Sequence, residues 1–249
     1  MCDVALSIVI PAFNEAHRLA DTLQRLQHYT ATVTGPYEII VVDDGSRDAT
    51  AHVARNFPAA PLPLRLIVNP TNRGKGHAVR RGVLASTGNH VLMCDADLST
   101  PIAELEKLTP WLARGYAVVI GSRDLPDAHL DPPQPCLRRT SAAIFRTLRR
   151  RLLLPTLRDT QCGFKLFRGD VARLIFTHVQ DDGWLFDCEA LGLAERMGYR
   201  IKEVGVRWSA APDTRVYLLR ESLRALPNLW AIRRRLAAFT PKAGRGADT

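Results

Sequence analysis

The sequence predicts an α/β fold, a mostly parallel central sheet flanked by helices, and three observations carry that expectation. Short β-branched apolar runs alternate with amphipathic segments from Leu6 to Arg123, a spacing that implies right-handed crossovers. Polar residues gather where the apolar runs end: Asn14-Glu15, Asp43-Asp44, Asn69 to Lys75, Asp95-Asp97 and Ser122-Arg123. Sheets of this kind bind ligands outside the carboxyl ends of their strands. Finally, 249 residues at 46% hydrophobic and 24% charged suffice for one large domain, or for one domain with a small extension.

Taken in order, "LSIVIP" (6–11) is a buried strand stopped by proline. In "NEAHRLADTLQRLQHY" Leu19, Leu23 and Leu26 share a helical face, with Asn14 placed as its N-cap. "YEIIVVDDGS" is a second strand closing in acids and a turn, and "RDATAHVARNF" a helix capped by Ser46 or Asp48. "LRLIVN" and "GKGHAVRRGVLAS" give the third strand and its helix. "HVLMCDAD" (90–97) is the fourth strand, followed by a helix opened by Thr100 with Pro101 at its first position. "YAVVIGSR" is the fifth strand, and the Pro-rich "PDAHLDPPQP" marks a boundary. Beyond it come a basic amphipathic helix (141–154), a loop entering a strand at "DTQCGFKLF", a helix at "WLFDCEALGLAERMGY" and a strand at "RIKEVGVRW". A long helix over 216–239, kinked or broken at Pro227, precedes a frayed tail. The expected organisation is a catalytic domain over 1–212 and a basic C-terminal helix and tail over 213–249.

The net charge is +9, but the basicity is regional. Seven arginines and no acid lie between Asp131 and Asp159, and eight basic residues against two acids follow Thr214. Such stretches favour an anionic partner: nucleic acid, an acidic membrane surface or a phosphorylated substrate. Few aromatics interleave with the arginines and there is no helix-turn-helix signature, so nucleic acid is the disfavoured partner. Five cysteines without a C-x-x-C pair argue against a zinc site or a disulfide framework and suit a reducing cytoplasm. No apolar run reaches the ~18 residues that span a bilayer. Membrane contact is therefore expected to be peripheral.

Several runs can carry chemistry. Asp95 and Asp97, read as extended chain, point to one side, and two hard oxygen donors suit Mg²⁺ or Mn²⁺ shared with substrate phosphates. Acids at a strand end also cap a following helix, so this short pattern leaves both readings open. Asp43 and Asp44 can accept hydrogen bonds from a base or ribose, or simply close a strand-turn-helix junction. In "NRGKGHAVRRG" the glycines admit backbone amides to phosphate, while Lys75 and the helix N-terminus add positive potential. Walker A and G-x-G-x-x-G spacings are absent, which weighs against ATPase and dehydrogenase chemistry, and no G-x-S-x-G elbow points to a serine hydrolase. The seven histidines are scattered without H-x-x-x-H spacing.

In this order, "IVIPAFNE", "VVDDGSRDAT", "NRGKGHAVRRG", "DADLST" and "GSR" resemble the inverting nucleotide-sugar glycosyltransferases of the GT-A fold, a Rossmann-like architecture. With "DTQCGFKLF" and "WLFDCEAL" the chain resembles the dolichyl- and polyprenyl-phosphate sugar transferases, most of all the dolichyl-phosphate β-glucosyltransferases, over roughly residues 5 to 210. The resemblance implies that Pro11, Phe13, Glu15 and Asp44 line the nucleotide pocket, supported by Asp43, with Lys75 close to the nucleotide. It implies that Asp95 and Asp97 hold the metal on the diphosphate; Ser99 stands where related enzymes place a further ligand. Arg123 would face a donor or acceptor phosphate, Asp159, Gln161 and Gly163 the transferred sugar, and Asp187 and Glu189 the acceptor.

The implied reaction moves glucose from UDP-glucose to a polyprenyl monophosphate in one inverting displacement; the alternatives are mannose from GDP-mannose, another acceptor such as a growing glycan, or a catalytically dead sugar-nucleotide-binding module, against which the intact Asp95 and Asp97 speak. A phosphate acceptor is ionised at neutral pH, so the reaction does not call for a strong general base, and Asp187 or Glu189 is expected to orient the acceptor. Two basic helices fit a lipid-linked acceptor: one with Ile144, Leu148 and Leu152 at four-residue steps, the other with Leu219, Leu223 and Leu226, then Trp230 and Arg233 to Arg235. Both faces would serve equally to pack on the sheet. Together these features place the expected enzyme at the cytoplasmic membrane face.

Overall fold

The computed structural model describes residues 4–32, 35–58, 63–131, 149–209 and 218–240, with side chains of α7 described from Pro227 onward. The elements are β1 (Leu6–Ala12), α1 (Ala16–Thr32), β2 (Tyr37–Asp43), α2 (Thr50–Asn56), β3 (Leu64–Val68), α3 (Lys75–Ala85) and β4 (His90–Met93). A 3-10 turn (Ile102–Glu104) leads into α4 (Leu105–Leu112), followed by β5 (Val118–Ser122) and β6 (His129–Asp131). Then come β7 (Lys165–Arg168), α5 (Gly169–Phe176), α6 (Phe186–Arg196), β8 (Ile201–Gly205), β9 (Arg207–Ser209) and α7 (Leu218–Ala238).

Seven strands form the central sheet in the order β3-β2-β1-β4-β7-β5-β8, and β6 with β9 makes a small parallel ribbon. All central neighbours are parallel except β7, which runs antiparallel to both β4 and β5. The sheet is buried on both faces, so its strands read as near-continuous apolar runs. Ile8 and Ile10 of β1 pack with Leu19, Leu23 and Leu26 of α1 in one layer. Val9 points the other way, into a layer with Val79 and Val83 of α3, Phe186 and Leu191 of α6, and Leu229, Ile232 and Leu236 of α7. The last turns of α7 thus close the core beneath α6.

Chain order fixes where a ligand goes. β1 is flanked by β2, which follows it directly, and by β4, which arrives after the chain has returned. The crevice outside the carboxyl ends of β1 and β4 is therefore a topological switch point. Reversal of β7 pairs its first residue, Lys165, with Met93 at the end of β4. The loop at 159–164 consequently lies at the same rim as Asp95.

Three local expectations are corrected. β4 ends at Met93, not at Asp97, and Asp95 to Leu98 form a turn closed by the Leu98 amide donating to the Asp95 carbonyl at 3.1 Å. Leu98 takes φ +43° there, a conformation costly for a branched side chain and found mostly where surrounding structure enforces it. The following helix begins not at Thr100 but with the 3-10 turn at Ile102, because the Thr100 hydroxyl is buried 3.8 Å from the Cys162 sulfur instead of capping. The helix α7 is not broken at Pro227 but continues through it, with Pro227 exposed. Residues 132–148, the basic helix with Ile144 and Leu148 included, lie outside the described residues, as does the tail from 241 onward.

Candidate active site

The motifs that follow β1 and β2 are locked to one another. Asn14, expected as the cap of α1, sits at φ +56° and instead accepts the Arg47 amide on Oδ1 at 2.9 Å, while its own amide donates to Ser46 Oγ at 2.9 Å. The start of α1 is satisfied from across the sheet: Thr50 Oγ1 accepts the Glu15 amide at 2.8 Å and Asp48 Oδ2 accepts that of Ala16 at 3.2 Å. The "FNE" and "DDGSRDAT" segments thus form one unit at the ends of β1 and β2. Phe13 is 40% exposed beside them. Asp43 is buried and accepts the Ser46 amide.

Asp44 is buried as well, and the chain itself engages both its oxygens. Oδ1 accepts from Asn69 Nδ2 at 2.6 Å, Oδ2 accepts the Gly74 amide at 2.7 Å, and the Arg73 amide reaches both at 3.1 Å. The next amides of the glycine run are also taken, Gly76 by the Gly183 carbonyl at 3.0 Å and His77 by that of Asp182 at 3.2 Å. The expected amide cradle for phosphate is therefore not what the glycines provide. They let chain approach chain: a Cβ on Gly76 would overlap the Asp181 carbonyl oxygen and crowd Phe186. What the segment presents to the site is the Lys75 side chain.

Lys75 Nζ lies 2.6 Å from Asp95 Oδ1 and 5.1 Å from the ring centroid of Trp184, a 53% exposed side chain. Burial opposes charge on both partners, yet the pairing outweighs it, holding the Asp95 carboxyl below and the Lys75 ammonium above their ordinary ranges. Asp97 faces Arg18, 3.7 Å from Oδ2, and Arg18 in turn pairs with Glu15 at 2.7 Å. Oδ1 of Asp97 accepts the Ser99 amide at 2.9 Å. The two acids are thus presented by a turn, not by extended chain.

Both carboxylates have drawn a cationic side chain, so this lip of the sheet attracts cations. Among the described residues no group of three or more Asp, Glu, His or Cys side chains forms a metal-holding cluster. A pair of hard carboxylates fits Mg²⁺ or Mn²⁺ when substrate phosphates complete the shell.

Behind this pair the crevice is lined by Pro11, Cys94, Gly163, Phe186 and Asp187. Lys165, 1% exposed, places Nζ 2.7 Å from Asp187 Oδ1 and also donates to the Cys162 carbonyl. Burial pushes the Asp187 carboxyl above its ordinary range in spite of Lys165 and Lys75 nearby. On the other side, Arg123 grips Asp159 with Nε at 2.7 Å and Nη2 at 3.0 Å, and its guanidinium stands 5.6 Å from the Trp208 ring centroid. Although burial disfavours its charge, that bidentate pair, with the amides of Arg123 and Gln161, holds the Asp159 carboxyl well below the usual carboxylate range. The Gln161 side chain points at the Cys188 sulfur, 3.7 Å away.

The structure therefore brings Pro11, Lys75, Asp95, Gly163 and Asp187 into one crevice. Glu189 is not among them: it faces away, toward Arg235 at 2.6 Å and the amides of Gln180 and Asp181. Arg149, one of the seven arginines between Asp131 and Asp159, is fully buried, donating to Thr160 Oγ1 and the Arg158 carbonyl. Arg18, Lys165 and Trp184 escaped the sequence reading. Lys165 had a signal, since a lone charge within the apolar run "FKLF" has to find a buried partner.

A doubly wound sheet with paired acids at its switch point is the architecture of the GT-A glycosyltransferases. Residues 7–176 match the model of glycosyl transferase family 2, and the chain belongs to that family; it is a hexosyltransferase. It is 33% identical over 245 residues to a dolichyl-phosphate beta-glucosyltransferase of Dictyostelium discoideum, spanning 93% of this chain and 74% of that one. A second, from Drosophila melanogaster, is 38% identical over 221 residues, covering 82% and 67%. Among solved structures, glucosyl-3-phosphoglycerate synthase from Mycobacterium tuberculosis, crystallised with Mn²⁺, UDP-glucose and phosphoglyceric acid, shares the fold at TM-score 0.68 and 20% identity, over 98% of this chain and 83% of that one. Mannosyl-3-phosphoglycerate synthase from Rubrobacter xylanophilus does so at TM-score 0.68 and 18% identity, covering 98% and 79%.

Proposed function

We propose that this chain transfers glucose from UDP-glucose to a dolichyl- or polyprenyl-type lipid monophosphate, with inversion, using Mg²⁺ or Mn²⁺. The carrying observation is Asp95 paired with Lys75 at the β1–β4 switch point, in a chain whose relatives bear the name dolichyl-phosphate beta-glucosyltransferase.

Asp95 and Asp97 are the residues that would hold the cation, which when bound neutralises the charge growing on the departing diphosphate. Lys75 leaves Asp95 for that diphosphate and adds fixed positive charge where negative charge develops. Phe13, half open beside the locked "FNE" unit, offers a face for the base, and Glu15, held by Arg18, serves the ribose. Pro11 lines the crevice beside Lys75, Asp43 braces the turn at Ser46, and Asp44 holds the Lys75 loop in place. Asp159 orients Arg123, whose cationic edge serves the acceptor phosphate. Asp187, buried at the back of the crevice, fixes the incoming acceptor, and Gln161 lines the sugar side.

Among the described residues no helix is long and apolar enough to cross a membrane. We place the protein at the cytoplasmic membrane face, docked through exposed basic residues beside Trp230, which is 54% exposed with Arg233 5.3 Å from its ring centroid.

The test is purified protein with Mn²⁺, detergent-solubilised polyprenyl phosphate, and either UDP-glucose or GDP-mannose. A lipid-soluble β-glucosyl phosphate from UDP-glucose is expected. Lipid product from GDP-mannose alone would replace the donor, and none from either would overturn the reading.

A further inference from the structure

Glu189 lies outside the crevice, yet its contacts lead back to it. Oε1 accepts from Arg235 Nε on α7 at 2.6 Å. Oε2 accepts two successive amides, Gln180 at 2.9 Å and Asp181 at 2.7 Å. These pin one side of the 180–183 segment to α6. The other side holds the start of α3, where the carbonyls of Asp182 and Gly183 accept the His77 and Gly76 amides. The Asp182 carboxylate adds ion pairs to Arg80 at 2.7 Å and Arg73 at 3.2 Å. Asp181 Oδ1 accepts the Leu185 amide at 3.2 Å, which orients the turn carrying Trp184. Lys75 stands between Gly74 and Gly76 at the centre of this arrangement, 2.6 Å from Asp95.

We infer that Glu189 is a positioning residue for Lys75: fixed by Arg235 of α7, it holds the 180–183 segment, which seats the first turn of α3 opposite Asp95. The identity of that place as the donor-diphosphate site rests on the function proposed above. The mechanical link does not. A carboxylate meeting two consecutive amides and a guanidinium fills most of its acceptor capacity, so the carboxyl group itself, not a shape of similar size, is what the segment requires. Loss of one such contact lets the segment open locally, and misplacing a contacting group by about 1 Å costs on the order of a hundredfold in rate.

Two variants test this in the full chain. Glu189→Gln keeps the shape and removes the charge. Arg235→Gln removes the partly exposed partner and spares the buried carboxylate, with Arg235→Lys as its conservative rescue. Hydrogen exchange of ligand-free protein should accelerate at Gly76, His77, Gln180 and Asp181 in Glu189→Gln and Arg235→Gln, and return toward wild type in Arg235→Lys. The kcat with UDP-glucose should fall on the order of a hundredfold in the first two variants, with KM changed less, and the affinity for UDP with Mn²⁺, which carries the fully developed diphosphate charge, should fall in parallel. A lower melting temperature with unchanged exchange at Gly76 and His77, or with unchanged UDP affinity, would reduce Glu189 to a stabilising residue and overturn the inference. If no donor supports turnover even in wild type, the proposed function fails while the exchange result still decides the link.

Discussion

Gly163 stands against the carboxylate of Asp95 so closely that a methyl group on it would overlap both carboxylate oxygens. The contact joins the 159–164 loop to the turn at Asp95 to Leu98, and only a residue without a side chain permits it. Gly163→Ala must push Asp95 away from Lys75. We expect turnover to fall at least a hundredfold while the melting temperature drops by only a few degrees, since the displaced group is a partly exposed carboxylate and not core. Wild-type kcat/KM in this variant would show that Asp95 need not sit where it does.

Asp97→Asn keeps an acceptor for the Ser99 amide and removes the charge. A folded protein with turnover reduced by about 10²–10³ is expected, the scale of losing one group that stabilises developing charge, here the cation that Asp97 would hold. Chelation of wild type with EDTA should abolish turnover and added Mn²⁺ should restore it. A much higher Mn²⁺ requirement in the variant places the lesion at the metal; an unchanged requirement would remove Asp97 from that role.

The Arg123–Asp159 pair predicts an acid limb in the stability profile. Its folded carboxyl titrates below the ordinary range, so the unfolded chain takes up protons first as pH falls. The stabilisation is complete above about pH 5, declines through the unfolded carboxylate's pKa near pH 4, and is gone once pH passes the depressed folded value. Asp159→Asn should lower the melting temperature at pH 7 and flatten the decline between roughly pH 5 and pH 2. Parallel melting curves for the two proteins across that window would refute the assignment.

Lys165→Met leaves the Asp187 carboxylate buried without its partner. Breaking a buried pair from one side costs about 3–5 kcal/mol, which is ~10 °C in melting temperature for a domain of this size. The double variant Lys165→Met/Asp187→Leu should recover much of that loss without recovering turnover. Calorimetry and assay of the three proteins check both halves, and a single variant as stable as wild type would mean that Asp187 is neutral in the fold.

Reversing Arg233 and Arg234 to Glu should weaken sedimentation with anionic vesicles at low salt, with little effect on neutral vesicles. Arg235 is excluded from this test because it holds Glu189, and Arg149 because it is buried. Unchanged sedimentation would remove this end of α7 from membrane docking.

The alternation of strands and helices was legible because burial on both faces makes each strand a continuous apolar run, as in Ile39 to Val42. So was the gathering of acids and amides at the strand ends. Hydrogen-bond allocation was not. Asn14 looks like a cap beside α1, but its partners are Ser46 and Arg47, and the cap is delivered by Asp48 and Thr50. The glycines around Lys75 look like a phosphate cradle until Asp44 and the 182–183 carbonyls occupy the amides. Each of these partners is distant in sequence, and a local pattern cannot rank competing acceptors. The burial of Arg149 is illegible for the same reason, since nothing in a run of arginines says which one points inward.

The single reversed strand also bears on how the protein is made. During synthesis β1 to β4 can pair as soon as they emerge, but the outer edge of β4 has no neighbour until the four residues of β7 appear, well after β5. An apolar parallel sheet with one edge bare through that interval is a template for self-association. The nascent chain therefore passes through a sticky half-sheet, and ribosome-bound truncations ending before Lys165 are the species in which aggregation, or chaperone capture, would be concentrated.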